Sequence, residues 1–116
     1  MANGKLPLSG STNGKAFLID NVGVTIHTAA AGTGTTDRIW VWATNTTGAA
    51  CTITVYHGAV VAANIIGHAI PITANGVPVL IVPGIPLNNA TVLSAVASVT
   101  NVVSVAGYVD RQTTGT

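Results

Sequence analysis

Charge is scarce in this sequence. Only 7 of its 116 residues (6%) are Lys, Arg, Asp or Glu, and glutamate is missing altogether, whereas about 25% of an ordinary soluble domain is charged. Intrinsic disorder requires high charge and low hydrophobicity, but this chain has a mean hydropathy of +0.58. A net charge of +1 provides no basic surface for nucleic acid or for an anionic membrane. We therefore expect a folded protein that binds neither nucleic acid nor membranes.

Disulfides and long apolar runs are also missing. Cys51 is the single cysteine, so no internal disulfide can form. The most apolar segment, 77–87, contains three prolines and a glycine, and no run reaches the length of about 18 apolar residues that a membrane helix needs. The N-terminus lacks the apolar core of a signal peptide. The length of the chain predicts one domain, and these absences indicate synthesis and assembly in a reducing cytoplasm.

β-branched residues dominate what is present. Val, Ile and Thr account for 43 of the 116 residues, while the strong helix formers other than alanine are scarce. Side chains branched at Cβ pack well on pleated sheets and lose rotamer freedom in helices. Gly, Asn and Pro recur between the short β-branched runs, which is typical of an antiparallel sandwich or barrel. The sequence thus predicts an all-β protein with about eight strands, at 16–20, 22–29, 37–45, 50–57, 65–73, 76–82, 90–97 and 101–109.

The sharpest turn signal is the pair Asn75 and Gly76. Both residues tolerate positive φ, and between two apolar runs they favour a two-residue type I′ turn. We therefore predict a β-hairpin that joins 68–74 to 77–82.

Two of the predicted strands are apolar on both faces. In 38–44, Ile39 and Val41 alternate with Trp40 and Trp42, and 101–109 shows the same property. A strand with two apolar faces is normally buried on both. We therefore expect a third layer or another subunit to cover the outer face of these strands.

The two ends of the chain are more polar than the middle. Residues 1–15 contain both lysines and several Gly, Ser and Asn residues, and we interpret them as an extended polar arm. Residues 16–110 form the predicted β-sandwich domain, and 111–116 form a short polar tail.

Groups suited to catalysis or metal binding are few. The three histidines lie 30 and 11 residues apart, without the close spacing of zinc ligands. The carboxylate side chains are three aspartates, and for Asp37 and Asp110 we expect a structural charge pair with an arginine. Cys51 is mid-strand on an apolar face, where a free cysteine acts as a small hydrophobe. We predict no catalytic residue, no cofactor and no metal site, and hence a protein that is not an enzyme.

A pair of tryptophans is the strongest candidate for a binding site. Trp40 and Trp42 share one face of a strand, and Arg38 lies on the same face, because side chains alternate along a strand. Such a group is typical of a protein interface hot spot, although two tryptophans could also stack on a sugar. The interface candidates are Lys5, Lys15, Arg38, Trp40, Trp42, Tyr56 and Tyr108.

Six segments together form a recognisable pattern of strands and turns. They begin at His27, Asp37, Thr52, Ile70, Val82 and Val105, and they read HTAAAGT, DRIWVWATN, TITVYHG, IPITA, VPGIPL and VAGYVDR. In this order they resemble small virion proteins of tailed bacteriophages, of the head decoration or capsid cement type. The resemblance extends over most of 16–111.

The resemblance implies a β-sandwich of jelly-roll type that assembles as a homotrimer on the exterior of the virion. There the protein would bind the major capsid protein across capsomer boundaries and stabilise the head, with the arm 1–15 lying on the capsid or on a neighbouring subunit. Two alternatives remain open. One is another virion component of similar fold, such as a head-fibre base or a tail protein, and the other is a small carbohydrate-binding module that uses Trp40 and Trp42.

Overall fold

The structure is a computed structural model that describes residues 4–74 and 76–113. The described residues fold into two antiparallel β-sheets packed face to face, which confirms the prediction of an all-β sandwich. The strands are β1 (Gly4–Pro7), β2 (Phe17–Ile19), β3 (Val24–Thr28), β4 (Thr35–Asn45), β5 (Cys51–His57), β6 (Ile65–Ile72), β7 (Val79–Leu87), β8 (Val92–Ala97) and β9 (Val103–Thr113). Among the described residues, the one helical segment is a 3-10 turn at Ala62–Asn64. No helix in this part of the chain is long and apolar enough to cross a membrane.

The strands alternate between the two sheets along much of the chain. The first sheet has the order β1-β9-β4-β7, with β2 also pairing with β9, and the second has the order β3-β8-β5-β6. Because β1 and β2 pair with successive parts of β9, they act as one interrupted edge strand. The fold then has eight positions in two four-stranded sheets, an order compatible with a jelly roll.

The core lies between the sheets and is built from alternate residues of each strand. In β4, Ile39, Val41 and Ala43 are fully buried, and in β9 Val105 and Val109 are fully buried as well. The intervening side chains point outward, since successive residues of a strand face opposite sides of the sheet. The outward residues of β4 are half-buried or exposed within this chain, so the outer face of the first sheet stays partly open.

Residues 4–10 of the predicted arm 1–15 pack onto the sandwich instead of extending away from it, and residues 1–3 lie outside the described residues. Gly4–Pro7 pairs with β9 along its whole length, and Leu8 is only 2% exposed. The Gly10 N–H then donates to the Ile26 carbonyl at 2.9 Å. The segment therefore crosses from the first sheet to the edge of the second. The segment is polar because it is an edge strand with one face in solvent. A free arm would have the same polar sequence, so the sequence does not distinguish the two.

The C-terminal boundary is also shifted. β9 continues to Thr113 and keeps its pairing with β4 throughout, so the predicted polar tail 111–116 begins inside a strand. Arg111 remains in the sheet because it forms an ion pair with Asp37. Residues 114–116 lie outside the described residues.

The predicted hairpin around Asn75 and Gly76 is wrong. β6 belongs to the second sheet and β7 to the first, so the two apolar runs cross the sandwich instead of pairing. The Gly76 N–H donates to the Thr73 carbonyl at 3.1 Å, while Asn75 lies outside the described residues. Both runs bury one face in the same core, and local turn chemistry does not distinguish that arrangement from a hairpin.

Candidate interaction surface

The outer face of the first sheet gathers most of the predicted interface residues. The registers of β1, β2, β9, β4 and β7 align their outward side chains into four rows that run across the strands. We call this surface the aromatic face. Its members are Lys5, Pro7, Leu18, Arg38, Trp40, Trp42, Thr44, Leu80, Pro83, Pro86, Ser104, Ala106, Tyr108 and Asp110.

The first row carries the charge of the aromatic face. Asp110 of β9 lies between Lys5 of β1 and Arg38 of β4, each directly opposite it in register. Pro86 of β7 completes the row beside Arg38. The row therefore places one negative group between two positive groups at one end of the face.

The second row is aromatic and proline-rich. Tyr108 lies opposite both Pro7 and Trp40, and Pro83 lies on the far side of Trp40. The Tyr108 ring stacks on Trp40 with a centroid separation of 6.3 Å and an interplanar angle of 19°. It also stacks on Trp42 of the next row, at 6.2 Å and 28°. These separations are in the range of favourable offset aromatic pairs.

A cation covers part of the aromatic cluster. The Lys5 ammonium lies 5.7 Å from the centroid of the Tyr108 ring, within the distance at which a cation is attracted by the ring quadrupole. The first and second rows are thus in contact. The cluster combines apolar rings with a positive group at its border.

The third and fourth rows become progressively less aromatic. Trp42 lies between Ala106 of β9 and Leu80 of β7, and Leu80 is 42% exposed. In the fourth row, Ser104 of β9 lies between Leu18 of β2 and Thr44 of β4. The aromatic face thus has an apolar centre with charges at one end and hydroxyl groups at the other.

Gly84 gives Trp40 the space that its position requires. This glycine has φ of +76°, and a Cβ there would lie 2.7 Å from Cζ2 of Trp40. The residue falls at an irregularity where Ile85 pairs with Ile39 but Pro83 pairs with Trp40. A β-bulge of this kind re-aims neighbouring side chains, and here the Trp40 indole lies close against Gly84 of β7.

Two of the seven predicted interface residues lie elsewhere. Tyr56 is on the outer face of the second sheet, opposite Ser94 in register, and Lys15 is exposed in the loop before β2. The other five lie on the aromatic face. Asp110, which the sequence analysis did not place there, shares the alternation of Tyr108 along β9 and could have been found from it. Leu80 and Leu18 needed the register of separate strands.

A second cluster surrounds the buried Asp37, near the start of β4. Asp37 is completely buried and accepts hydrogen bonds from Arg111 Nε at 2.7 Å and Arg111 Nη2 at 2.9 Å. The expected charge pair between Asp37 and an arginine is thereby confirmed. Its carboxylate also lies 2.8 Å from Nε2 of His27. We call Ser9, His27, Asp37 and Arg111 the Asp37 clasp.

Electrostatics within the clasp favour the ionised carboxylate. Burial by itself would raise the pKa of Asp37, but the hydrogen bonds from Arg111 and His27 outweigh it and hold that pKa below its ordinary value. The same carboxylate raises the pKa of Arg111. The clasp therefore contains an ion pair whose two charges stabilise each other, with Asp37 buried and Arg111 partly exposed.

The clasp leaves His27 without a free ring nitrogen. The Ser9 N–H donates to Nδ1 at 3.0 Å, so this nitrogen carries the lone pair and Nε2–H donates to Asp37. A general base or a metal ligand needs that lone pair. The Thr28 N–H in turn donates to Ser9 Oγ at 2.7 Å. The cluster thus has the residue types of a hydrolase triad, but its hydrogen bonds attach the N-terminal segment to β3.

Asp20 and Cys51 also occupy structural positions. Asp20 accepts the N–H groups of Val22 and Gly23 at 2.9 and 2.7 Å, and these bonds lower the pKa of Asp20. Cys51 is buried, and burial raises the pKa of its thiol. In the described ranges, no group of three or more His, Cys, Asp or Glu side chains is arranged to hold a metal ion.

Comparison of this chain with protein-family models, with curated proteins and with solved structures finds no match. The resemblance to decoration proteins therefore stays an expectation from the six sequence segments. The aromatic face and the Asp37 clasp are the features from which a function follows.

Proposed function

We propose that this protein is a structural component of a bacteriophage virion, which binds the outside of the capsid across capsomer boundaries and stabilises the head. Its partners in this proposal are the major capsid protein and further copies of itself, and it performs no catalysis. The observation that carries the proposal is the aromatic face. The capsid as the partner comes from the resemblance of the six segments to head decoration proteins.

The composition of the aromatic face supports protein binding. Tryptophan, tyrosine and arginine are the residues most enriched in interface hot spots, and Trp40, Trp42, Tyr108 and Arg38 lie within two adjacent rows and the neighbouring charged row. Hot spots are usually surrounded by residues that exclude water. Here prolines and leucines border the rings. The face therefore has the anatomy of an interface centre.

The hydrogen bonds of Asp37, His27 and Asp20 support a structural role. Asp37 is neutralised by Arg111, and both nitrogens of His27 are engaged. Asp20 stabilises a turn through backbone N–H groups. Each of these groups holds segments of the sandwich together, and none presents an activated base or nucleophile to solvent.

Binding to capsids tests the proposal directly. The purified chain is added to phage heads prepared without it, and occupancy is measured by co-sedimentation and by electron microscopy. We expect saturable binding at fixed sites and a higher temperature for release of packaged DNA. Heads that remain bare at saturating protein concentrations would contradict the proposal.

Trp42→Ala tests whether the aromatic face contributes to that binding. A hot-spot side chain contributes about 2 kcal/mol or more, which corresponds to a roughly 30-fold loss of apparent affinity. Tyr56→Ala is the matched control, because Tyr56 is a half-buried aromatic on the outer face of the opposite sheet. We expect head binding to weaken for Trp42→Ala and to persist for Tyr56→Ala. Equal binding by both variants would remove the aromatic face from the mechanism.

A small carbohydrate-binding module is the second candidate, and the three aromatic rings in contact on an open sheet face favour it. Planar sugar faces stack on such rings, and Asp110 and Arg38 could supply polar contacts from the adjacent row. A titration with a panel of glycans, followed by tryptophan fluorescence, separates the two functions. A saturable shift with one glycan favours the module, whereas a silent panel together with head binding favours the virion protein.

A different position in the virion is the remaining alternative. A head-fibre base or a tail protein of the same fold could use the same face against a different subunit. A density map of the intact particle distinguishes these positions, because a decoration protein occupies repeated sites over the capsid surface.

A further inference from the structure

We propose that the aromatic face binds the aromatic face of a second copy of this chain, in a dimer with two-fold symmetry. This inference rests on the proposed function and deepens it: the aromatic face joins two copies of the chain, and the pair so formed is what binds the capsid. The edges of the sheets, the size of the face and the arrangement of its charges carry it.

The sheet edges are poorly suited to association. An open strand edge can pair with another chain unless prolines, bulges or covering segments block it. The edge strand β7 contains Pro83 and Pro86, β6 contains Pro71, and β1 ends at Pro7. The edge of β3 is covered where Gly10 donates its N–H to a β3 carbonyl. The remaining edge strand, β2, is only three residues long, and so short an edge offers little for pairing. Association of two copies is therefore directed to a face of the sandwich.

The aromatic face is the outer face with large apolar side chains aligned across the sheet. Its second and third rows place Tyr108, Trp40 and Trp42 beside prolines and Leu80. The second sheet has one outward aromatic ring, Tyr56, and around it hydroxyl-bearing residues such as Thr54 and Ser94 alternate with aliphatic ones such as Val96 and Ile65. Burial of aromatic surface drives association more strongly than burial of hydroxyl groups, so the first sheet is the preferred contact.

The size of the face suits a small specific dimer. Four strands spaced about 4.8 Å apart, and four rows spaced about 6.7 Å apart, give a projected area of roughly 500 Å². Two copies would bury roughly 1,000 Å², which is the lower limit for a specific interface. Interfaces at this lower limit belong to weak and transient complexes, so we expect a dissociation constant on the order of micromolar.

The charges of the face are compatible with a second copy turned by 180°. An axis between the second and third rows places the Tyr108 and Trp40 row over the Trp42 row of the second copy. It places the charged row over the hydroxyl row, where Lys5 and Arg38 meet hydroxyl groups and keep access to water. The two charged rows then lie three row spacings, or about 20 Å, apart. This distance exceeds the Debye length of about 8 Å at physiological salt, so repulsion between them is screened.

The symmetry of the contact sets the stoichiometry. One patch that binds the same patch on another copy forms an isologous interface, which closes at two subunits. A trimer needs two different patches on each subunit. The inference therefore predicts a dimer where the resemblance to decoration proteins implies a trimer.

Leu80→Lys tests the contact without disturbing the core. Leu80 is 42% exposed on the edge strand β7, in the apolar third row, so a lysine can remain solvated in the monomer but not in the dimer. Ile66→Lys is the matched control, since Ile66 is 43% exposed on the edge strand β6 of the opposite sheet. Both variants and the parent chain are examined by sedimentation equilibrium from about 1 to 300 μM, a range that brackets the expected constant.

The expected masses separate the possible outcomes. The parent and Ile66→Lys should change from a chain mass of 11.6 kDa to twice that mass with concentration, with a blue shift of tryptophan emission. Leu80→Lys should stay monomeric or bind at least 30-fold more weakly. A parent that is monomeric throughout, a threefold mass, or equal effects of the two lysines would overturn the inference. Because heads are absent from this assay, a parent that dimerises but leaves heads bare would instead count against the proposed function alone.

Discussion

Asp37→Asn is the substitution that the structure predicts most sharply. Asparagine has nearly the same shape as aspartate but no charge, so it removes the ion pair without leaving a cavity. Asp37 accepts two hydrogen bonds from Arg111 and one from His27, and each hydrogen bond to a charged group contributes about 1.5–3 kcal/mol. Loss of one partner from a buried ion pair costs about 3–5 kcal/mol. The Arg111 side chain is 25% exposed and is partly solvated when unpaired, so we expect a loss of about 3 kcal/mol.

This loss is a large fraction of the stability of a small domain. Domains of this kind have free energies of unfolding of about 5–15 kcal/mol, and 1 kcal/mol shifts the melting temperature of a domain of this length by about 4 °C. Urea titration, followed by the fluorescence of Trp40 and Trp42, measures the change. We expect a clearly lower urea midpoint for Asp37→Asn and a melting temperature lowered by roughly 10–20 °C.

The pH dependence of the loss identifies the ionised carboxylate as its cause. The pKa of Asp37 in the folded protein lies below its ordinary value of 3.8 because bonds from Arg111 and His27 outweigh the effect of burial. The stability that Asp37 contributes is therefore complete above pH 3.8 and is lost as the pH falls through the lower pKa of the folded state. The difference in unfolding free energy between parent and Asp37→Asn should be full at pH 6 and should shrink below pH 3.8.

Asp20→Asn is the matched control for the clasp. Asp20 accepts two backbone N–H groups in an exposed turn, and the carbonyl oxygen of an asparagine can accept the same bonds. This variant should unfold close to the parent at pH 6. An Asp37→Asn variant as stable as the parent, or a difference that stays constant into acid, would refute the reasoning about the ion pair.

Two further substitutions test how the sequence supports this fold. Leu8→Ala should lower the free energy of unfolding by about 2–4 kcal/mol, the usual cost of removing a buried leucine, because Leu8 is 2% exposed; a solvated arm would give no change in a urea titration. Gly84→Ala should cost about 2 kcal/mol, because the backbone is left-handed there and the new Cβ would meet the Trp40 ring. The near-ultraviolet circular dichroism of the tryptophans should change with it, and an unaltered spectrum would contradict the close packing of Trp40 on Gly84.

The N-terminal segment shows where local pattern fails as a guide to structure. In Gly4–Pro7, Leu6 packs against the core, so the segment offers one apolar residue between polar neighbours. A strand at the edge of a sheet and an unattached arm have this pattern in common. Its attachment depends on β9 and on the edge of β3, both distant in sequence. The same limit explains the wrong hairpin at Asn75, since the turn residues carry no information about which sheet receives the next strand.

The aromatic face was predictable in part. The two-residue period along β4 places Arg38, Trp40 and Trp42 on one side, and the same period along β9 places Tyr108 beside Asp110. The rows, however, depend on pairing between β4 and β9, which are separated by about half of the chain. Tyr56 resembles Tyr108 in sequence context but belongs to the other sheet, and no local signal distinguishes them.

The amino-acid sequence alone specifies the β class, the alternation of buried and outward residues, and the scarcity of charge that directs attention to interfaces. These properties depend on residue type and on neighbours two positions apart, so they can be read along the chain. Three features depend on contacts across the sandwich. They are the division of the strands between the two sheets, the packing of Leu8 and Ser9 onto the fold, and the proximity of Lys5, Tyr108 and the two tryptophans. Strand register is set by contacts between segments that are distant in the sequence and share one core. The aromatic face therefore forms only when these segments have packed together.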